Sequence, residues 1–225
     1  MLRSVLSALP AHTKTVVDLG AGGGGASEWL RRETGAAVYA VEPAHQALLA
    51  ARSTFPELRL IEGCADRVPL RGGIADAVTM CGVLSLIAEL DAVVEEVLRL
   101  LRSDGVFAVA DLFVNGHRTA VSGRNVFRSL ESMRDCLAAH GLTVVEVGCG
   151  ATSPEPAWAH VSEQVDAWIE QHCSELPGYA EWKNDRQHLE EHIEAGDVIG
   201  GCLVASLAPN ADRTVDETLF EGGRN

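Results

Sequence analysis

Val16-Val17-Asp18-Leu19-Gly20-Ala21-Gly22-Gly23-Gly24-Gly25 is the stretch around which the chain is organised. A short β-branched run closed by glycines reads as a buried strand, and Ala26 to Arg32 behind it suits a helix. The unit is strand, tight loop, helix. Glycines at such a junction admit positive φ and let backbone N–H groups approach a ligand, while the helix N-terminus adds partial positive charge. That is a cradle for a nucleotide-type ligand. The spacing Gly20-x-Gly22-x-x-Gly25 also fits the dinucleotide fingerprint. Asp18 speaks against a dinucleotide, because a carboxylate two residues before the loop repels a pyrophosphate and attracts an ammonium.

Outward from this stretch the alternation of strand and helix continues. Met1 to Leu9 forms a short amphipathic helix before Pro10. Ala37 to Val41 is a second strand ending in Glu42-Pro43, and an acid placed there can accept hydrogen bonds from both hydroxyls of a ribose. A helix over Ala44 to Ser53 leads to a third strand, Leu58 to Glu62, and the loop Gly63 to Leu70. A fourth strand ends at Cys81. The apolar stripe Val93, Val94, Val97, Leu98 and Leu101 marks a helix from Leu90, and a fifth strand runs up to Asp111. Ser129, or alternatively Ser132, can cap a helix to His140 that Gly141 ends. Leu142 to Val147 and Val198 to Leu207 are the sixth and seventh strands, the last pairing antiparallel. Between them, residues 153–195 form a polar, tryptophan-bearing insertion read as two helices. We expect one domain over residues 1–208, with cap segments 112–128 and 153–195, and a disordered polar tail over 209–225.

Composition narrows the class. The 225 residues suit one α/β domain. Lys and Arg number 18 against 32 Asp and Glu, a formal charge of −14, and with no basic block this argues against a nucleic-acid partner. No apolar run reaches membrane-spanning length and no secretory leader opens the chain, so a cytoplasmic protein with no membrane partner is expected. The six cysteines form no C-x-x-C pair and read as small buried hydrophobes without disulfides.

Asp18-Leu19-Gly20-Ala21-Gly22-Gly23-Gly24 resembles motif I of the class I S-adenosylmethionine (SAM)-dependent methyltransferases, of the small-molecule, type-11 kind. Gly63 to Leu70 is similar to that family's Gly-Asp-Ala-Glu-x-Leu-Pro-Phe segment, with Cys64 in place of the acid that bonds the adenine amino group. Gly82-Val83-Leu84-Ser85-Leu86 aligns with a segment that often ends in two histidines, which Ser85 and Leu86 replace here. The resemblance implies a Rossmann-like, mostly parallel seven-stranded sheet with an antiparallel last strand, helices on both faces and a small helical cap. It also implies SAM as cofactor, held by Asp18, Gly20, Ala21, Gly22, Glu42, Pro43, Ala65, Asp66 and Cys81.

The reaction so implied is methyl transfer to an O, N, S or C atom of a small-molecule acceptor, with a secondary metabolite among the candidates. Asp111 and His117, at and after the end of the fifth strand, are the candidate catalytic groups; a loop histidine suits a general base. Trp158, Trp168 and Trp182 are candidates to cap the acceptor, although Trp168 shares an apolar helix face with Val161, Val165, Ile169 and His172 that could simply pack. His188-Leu189-Glu190-Glu191-His192 matches a metallopeptidase pattern, but without a third ligand it reads as a solvated helix face, and no metal is expected. Two alternatives stay open: a non-catalytic SAM-binding partner, favoured by Ser85-Leu86, and a nicotinamide-dependent oxidoreductase, disfavoured by Asp18. The oligomeric state is open, a homodimer being one option.

Overall fold

Alternate residues of one long strand feed two separate cores. In β5 (Leu101–Val114), Phe107, Val109 and Phe113 point to one face of the sheet, and Val106, Ala108 and Ala110 to the other, all nearly or fully buried. A strand apolar on both sides must be covered on both sides, which is the condition of a central strand in an α/β sheet. The computed structural model describes residues 2–116, 120–122, 125–150 and 156–207. They fold around a seven-stranded sheet of order β3-β2-β1-β4-β5-β9-β8.

β1 (Thr15–Leu19) pairs in parallel with β2 (Ala37–Glu42) and with β4 (Ala75–Cys81); β2 pairs with β3 (Arg59–Glu62), and β4 with β5. β9 (Val198–Ser206) lies antiparallel between β5 and β8 (Thr143–Gly150). The mostly parallel sheet with an antiparallel last strand, expected from the sequence, is the observed one. On one face sit α1 (Leu2–Ala8) and α2 (Gly25–Thr34), with Val5, Ala8 and Leu30 buried against Val16, Val38 and Val204. α3 (His45–Thr54) packs against β2 and β3. The other face is covered by α4 (Leu90–Leu100) and α5 (Leu130–Ala139) through Val93, Val97, Met133 and Leu137. Ser129 caps α5 by accepting the Ser132 N–H at 3.0 Å.

Two elements differ from the sequence reading. β5 continues past Asp111 to Val114, because Leu112, Phe113 and Val114 still find partners in Gly200, Ile199 and Val198. The cap segment expected over 112–128, where the sequence reading has no strand, contains a hairpin, β6 (Ala120–Ser122) and β7 (Asn125–Phe127), anchored by the buried Phe127. Three-residue strands are too short for an alternating pattern to declare itself. The insertion does form two helices, α6 (Pro156–Cys173) and α7 (Tyr179–Glu194). The tail over 209–225 lies outside the described residues. Among the described residues no helix is long and apolar enough to cross a membrane, and Cys64, Cys81, Cys136 and Cys173 are free thiols.

Candidate active site

The strand order reverses between β1 and β4, and such a reversal opens a crevice at the carboxyl ends of the strands. The glycine loop lines it. Gly20 and Ala21 donate their N–H groups to the Val41 carbonyl at 2.8 and 2.9 Å, which ties the loop to the end of β2. Gly20 has φ +73°, and a Cβ there would stand 2.5 Å from Val83 Cγ2, so only glycine fits. Its neighbours face the other way. A Cβ on Gly22, Gly23 or Gly25 would meet nothing within 4 Å, which leaves the outer side of the loop open to a ligand at the N-terminus of α2.

Glu42 closes this cradle. One carboxylate oxygen accepts the Gly22 N–H and the other the Ala44 N–H, both at 2.9 Å. It therefore fixes the loop and the start of α3 at once, and each oxygen keeps a lone pair for a hydroxyl. Pro43 follows it at the turn into α3. Beyond β3, Ala65 and Asp66 form the tip of a tight turn in which Arg67 donates its N–H to the Cys64 carbonyl at 3.1 Å, and Asp66 is exposed. A shallow cleft beside this turn is lined by Glu62, Gly63, Cys64, Arg67 and Pro69. The turn is pinned from α4: Glu96 accepts the Val68 N–H at 2.6 Å, and Arg99 donates to the Val68 and Leu70 carbonyls while pairing with Glu96. A buried Glu on an otherwise apolar helix face carries no periodic signal, so sequence reasoning missed this pin.

Asp18 is placed differently from the sequence expectation. Its side chain lies under α2, 1 % exposed, accepting from Ser27 Oγ at 2.5 Å and Thr79 Oγ1 at 2.6 Å. Burial pushes its carboxyl above the usual range, against the pull of those two hydrogen bonds. Asp18 thus ties β1, β4 and the first turn of α2 together below the loop. The alternation of β1 is the reason: Val17 and Leu19 enter the α4 core, so Asp18 must point to the α2 side with Val16. Cys81, on that same side, has its thiol pushed up by burial first and by Asp18 next, so it stays neutral and acts as packing.

The turn after β4, Leu84–Leu86, borders the second part of the site. Asp111, 3 % exposed, accepts the Leu112 N–H at 2.7 Å and the Ser85 N–H at 3.4 Å. Its carboxyl is raised by burial and is engaged with this turn. Arg128, which sequence reasoning passed over, clasps the turn from the other side. Its guanidinium donates to the carbonyls of Ile87 at 2.6 Å, Ala88 at 2.8 Å and Leu84 at 3.3 Å. Leu86, Asn125, Glu181, Trp182, Asp185 and Arg186 then enclose a cleft of about 390 Å³.

The three tryptophans part company here. Trp182 lines the cleft, with Arg186 5.8 Å above its ring. Trp168, the other described cap candidate, is not part of that lining: it is 58 % exposed and stacks on His172 at 4.4 Å. Asp166 and Glu170 turn to α7, where they pair with Arg186 and Lys183. Trp168, two residues from each, falls on the opposite side of α6. Val165 on its face is also exposed, so this face is not packed as a core stripe. The side chain of Trp158 and all of His117 lie outside the described residues. His188 and His192 have separate partners, Asn184 and Asp197.

Comparison with known proteins agrees with this architecture. Residues 17–109 match the type-11 family described as "Methyltransferase domain". An uncharacterized methyltransferase of Synechocystis sp. is 32 % identical over 99 residues, 43 % of this chain; the match spans 46 % of that relative, about half its length. Among solved structures, the O-methyltransferase of a trans-AT polyketide synthase from Brevibacillus brevis, in complex with S-adenosyl-L-homocysteine, superposes with TM-score 0.72 at 14 % identity, over 92 % of this chain and 72 % of that one. The (4+2)-cyclase SpnF superposes with TM-score 0.74 at 17 % identity, over 91 % and 80 %. The fold is shared with these solved structures, and the family match is confined to residues 17–109.

Proposed function

We propose that the chain binds SAM in the crevice above β1, β2 and β4 and transfers its methyl group to a small-molecule acceptor in the adjoining cleft. The observation that carries this reading is the open-sided glycine loop locked to Glu42. A carboxylate fixed at the end of β2, beside exposed backbone at a helix N-terminus, suits the ribose of a nucleoside. When bound, SAM supplies a sulfonium-activated methyl carbon, so that positioning of the acceptor supplies much of the rate.

The chain's own groups divide the work. Glu42 accepts the ribose hydroxyls, and the Gly20 to Gly22 loop with Pro43 shapes their seat. The Ala65-Asp66 turn borders the adenine, and Asp18 holds the loop rigid from below. Asp111 and Arg128 position the Leu84–Leu86 turn, whose Leu86 meets Trp182 across the acceptor cleft. Where the acceptor carries a proton at neutral pH, His117 is the base we assign to take it. The negative overall charge and the partly apolar, partly charged cleft suit a metabolite rather than a nucleic acid. On this reading the chain works in the cytoplasm, where its thiols stay reduced.

A second reading has one observation behind it: SpnF shares the fold yet is named a cyclase, and Ser85 and Leu86 stand where the family often has histidines. On that reading SAM is bound without methyl transfer. Incubating the protein with methyl-labelled SAM and a fractionated small-molecule extract separates the two. Label appearing in a small molecule, with S-adenosyl-L-homocysteine formed, supports transfer; bound SAM recovered intact from every fraction supports the second reading.

A further inference from the structure

Asp91, Cys136 and His140 meet where the first turn of α4 crosses the end of α5, far from the glycine loop in sequence and on the α4 face of the sheet. Their ligand atoms all lie within 4.8 Å of one another. Cys136 Sγ is 3.8 Å and His140 Nε2 3.6 Å from the same Asp91 oxygen. In a tetrahedral zinc centre with the usual bond lengths, neighbouring S, N and O ligands are about 3.3–3.5 Å apart. The two separations from Asp91 are thus close to those of one face of such a tetrahedron, and rotamer shifts that draw Cys136 Sγ and His140 Nε2 inward complete it.

The second shell is also in place. His140 Nδ1 lies 2.9 Å from the Cys136 carbonyl, and since a carbonyl only accepts, Nδ1 carries the hydrogen and Nε2 presents its lone pair to the cluster. A backbone acceptor on the far nitrogen is how metal-bound histidines are oriented. Cys136 and His140 are four residues apart on one helix and share its face. His140 has a side-chain exposure of 17 %, while Asp91, at 76 %, leaves an open approach from solvent. Arg128 is near Cys136, but its guanidinium is engaged by the carbonyls of Ile87 and Ala88.

We propose that Asp91, Cys136 and His140 form a binding site for a zinc-type divalent cation, with water as the fourth ligand. On binding, Cys136 releases its thiol proton to solvent and its sulfur coordinates the metal, with no change of oxidation state. The ion bridges the start of α4 to the end of α5 and so stabilises the helical layer that follows the Leu84–Leu86 turn. The mixed ligand set, one soft and two harder donors, suits Zn²⁺ over Mg²⁺ or Ca²⁺. No local pattern announces the site, since Asp91 and Cys136 come from different helices.

Co²⁺ is the direct probe. The full chain, stripped with chelator, is titrated with Co²⁺ alone and followed by absorption. The site predicts one saturating equivalent with a thiolate-to-cobalt charge-transfer band and tetrahedral visible bands, bleached by Zn²⁺. Cys136→Ser should abolish the charge-transfer band. Asp91→Asn, at an exposed position that leaves folding intact, should weaken Co²⁺ binding at least about tenfold. Zn²⁺ should raise the melting temperature of the wild type and not of Cys136→Ser. Absence of the band in wild type, or a band of equal strength in both variants, overturns the proposal and leaves an Asp91–His140 ion pair.

Discussion

Glu42→Ala and Asp18→Ala separate two roles around one glycine loop. Glu42 faces the crevice, so its loss should weaken SAM binding by about 1–3 kcal/mol, roughly five- to 150-fold, with a small change in melting temperature. Asp18 is buried beneath the loop, and its loss leaves the Ser27 and Thr79 hydroxyls without their acceptor. Stability should fall by about 2–4 kcal/mol, seen in denaturant unfolding, with affinity following the fold. Equal stability of the two variants would contradict this division. Asp66→Ala should cost less affinity than Glu42→Ala, since Asp66 is exposed at a turn tip. Gly20→Ala combines a left-handed backbone, about 1–2 kcal/mol, with the Val83 clash, and Val83→Ala in the same chain should restore part of the loss. The glycine loop and Glu42 were legible because their residue types answer to local geometry. The burial of Asp18 was not, because its partners stand on α2 and β4.

At the scale of elements, the strands of the sheet could be read from their apolar runs, whereas the contacts that hold loops in place could not. Arg128 is the example: it is a single charged residue after a three-residue strand, and its role depends on four carbonyls gathered by the fold. Arg128→Lys keeps the charge but not the planar fork. It should lower turnover on a true acceptor more than it lowers SAM affinity, because Leu86 of the clasped turn lines the acceptor cleft. A fall in SAM affinity alone would assign Arg128 to the cofactor side. In α2, the hydrogen bond from Arg31 works against burial and, with Arg32, lowers the Glu28 carboxyl to about 2 from an ordinary 4.5. A carboxyl lowered in the folded state contributes stability above its unfolded pKa and loses it as pH falls towards the folded one. Thermal melts should therefore show wild type more stable than Glu28→Gln at neutral pH, with the gap closing between about pH 4.5 and 2. A gap constant across that window would show that Glu28 acts by packing alone.

For the whole molecule, sheet order places the proposed cofactor and acceptor regions side by side: the loops after β1, β2 and β3 on one side, the turn after β4 with the hairpin and α7 on the other. The sequence showed this layout because strand and helix alternate with clear periods up to β5. It showed less beyond, where the hairpin strands are short and α6 turns Trp168 outward. Trp182 lines the cleft, so on the proposed function Trp182→Ala should lose methyl transfer while SAM affinity and melting temperature hold; a lowered melting temperature with unchanged turnover would make it packing. The central claim, a SAM site in the crevice, is tested most directly by calorimetric titration of the purified chain with SAM, S-adenosyl-L-homocysteine and NAD in turn. The account predicts one-site binding of the first two, weakened in Glu42→Ala, and no heat from NAD. Binding of NAD with none of SAM would contradict it.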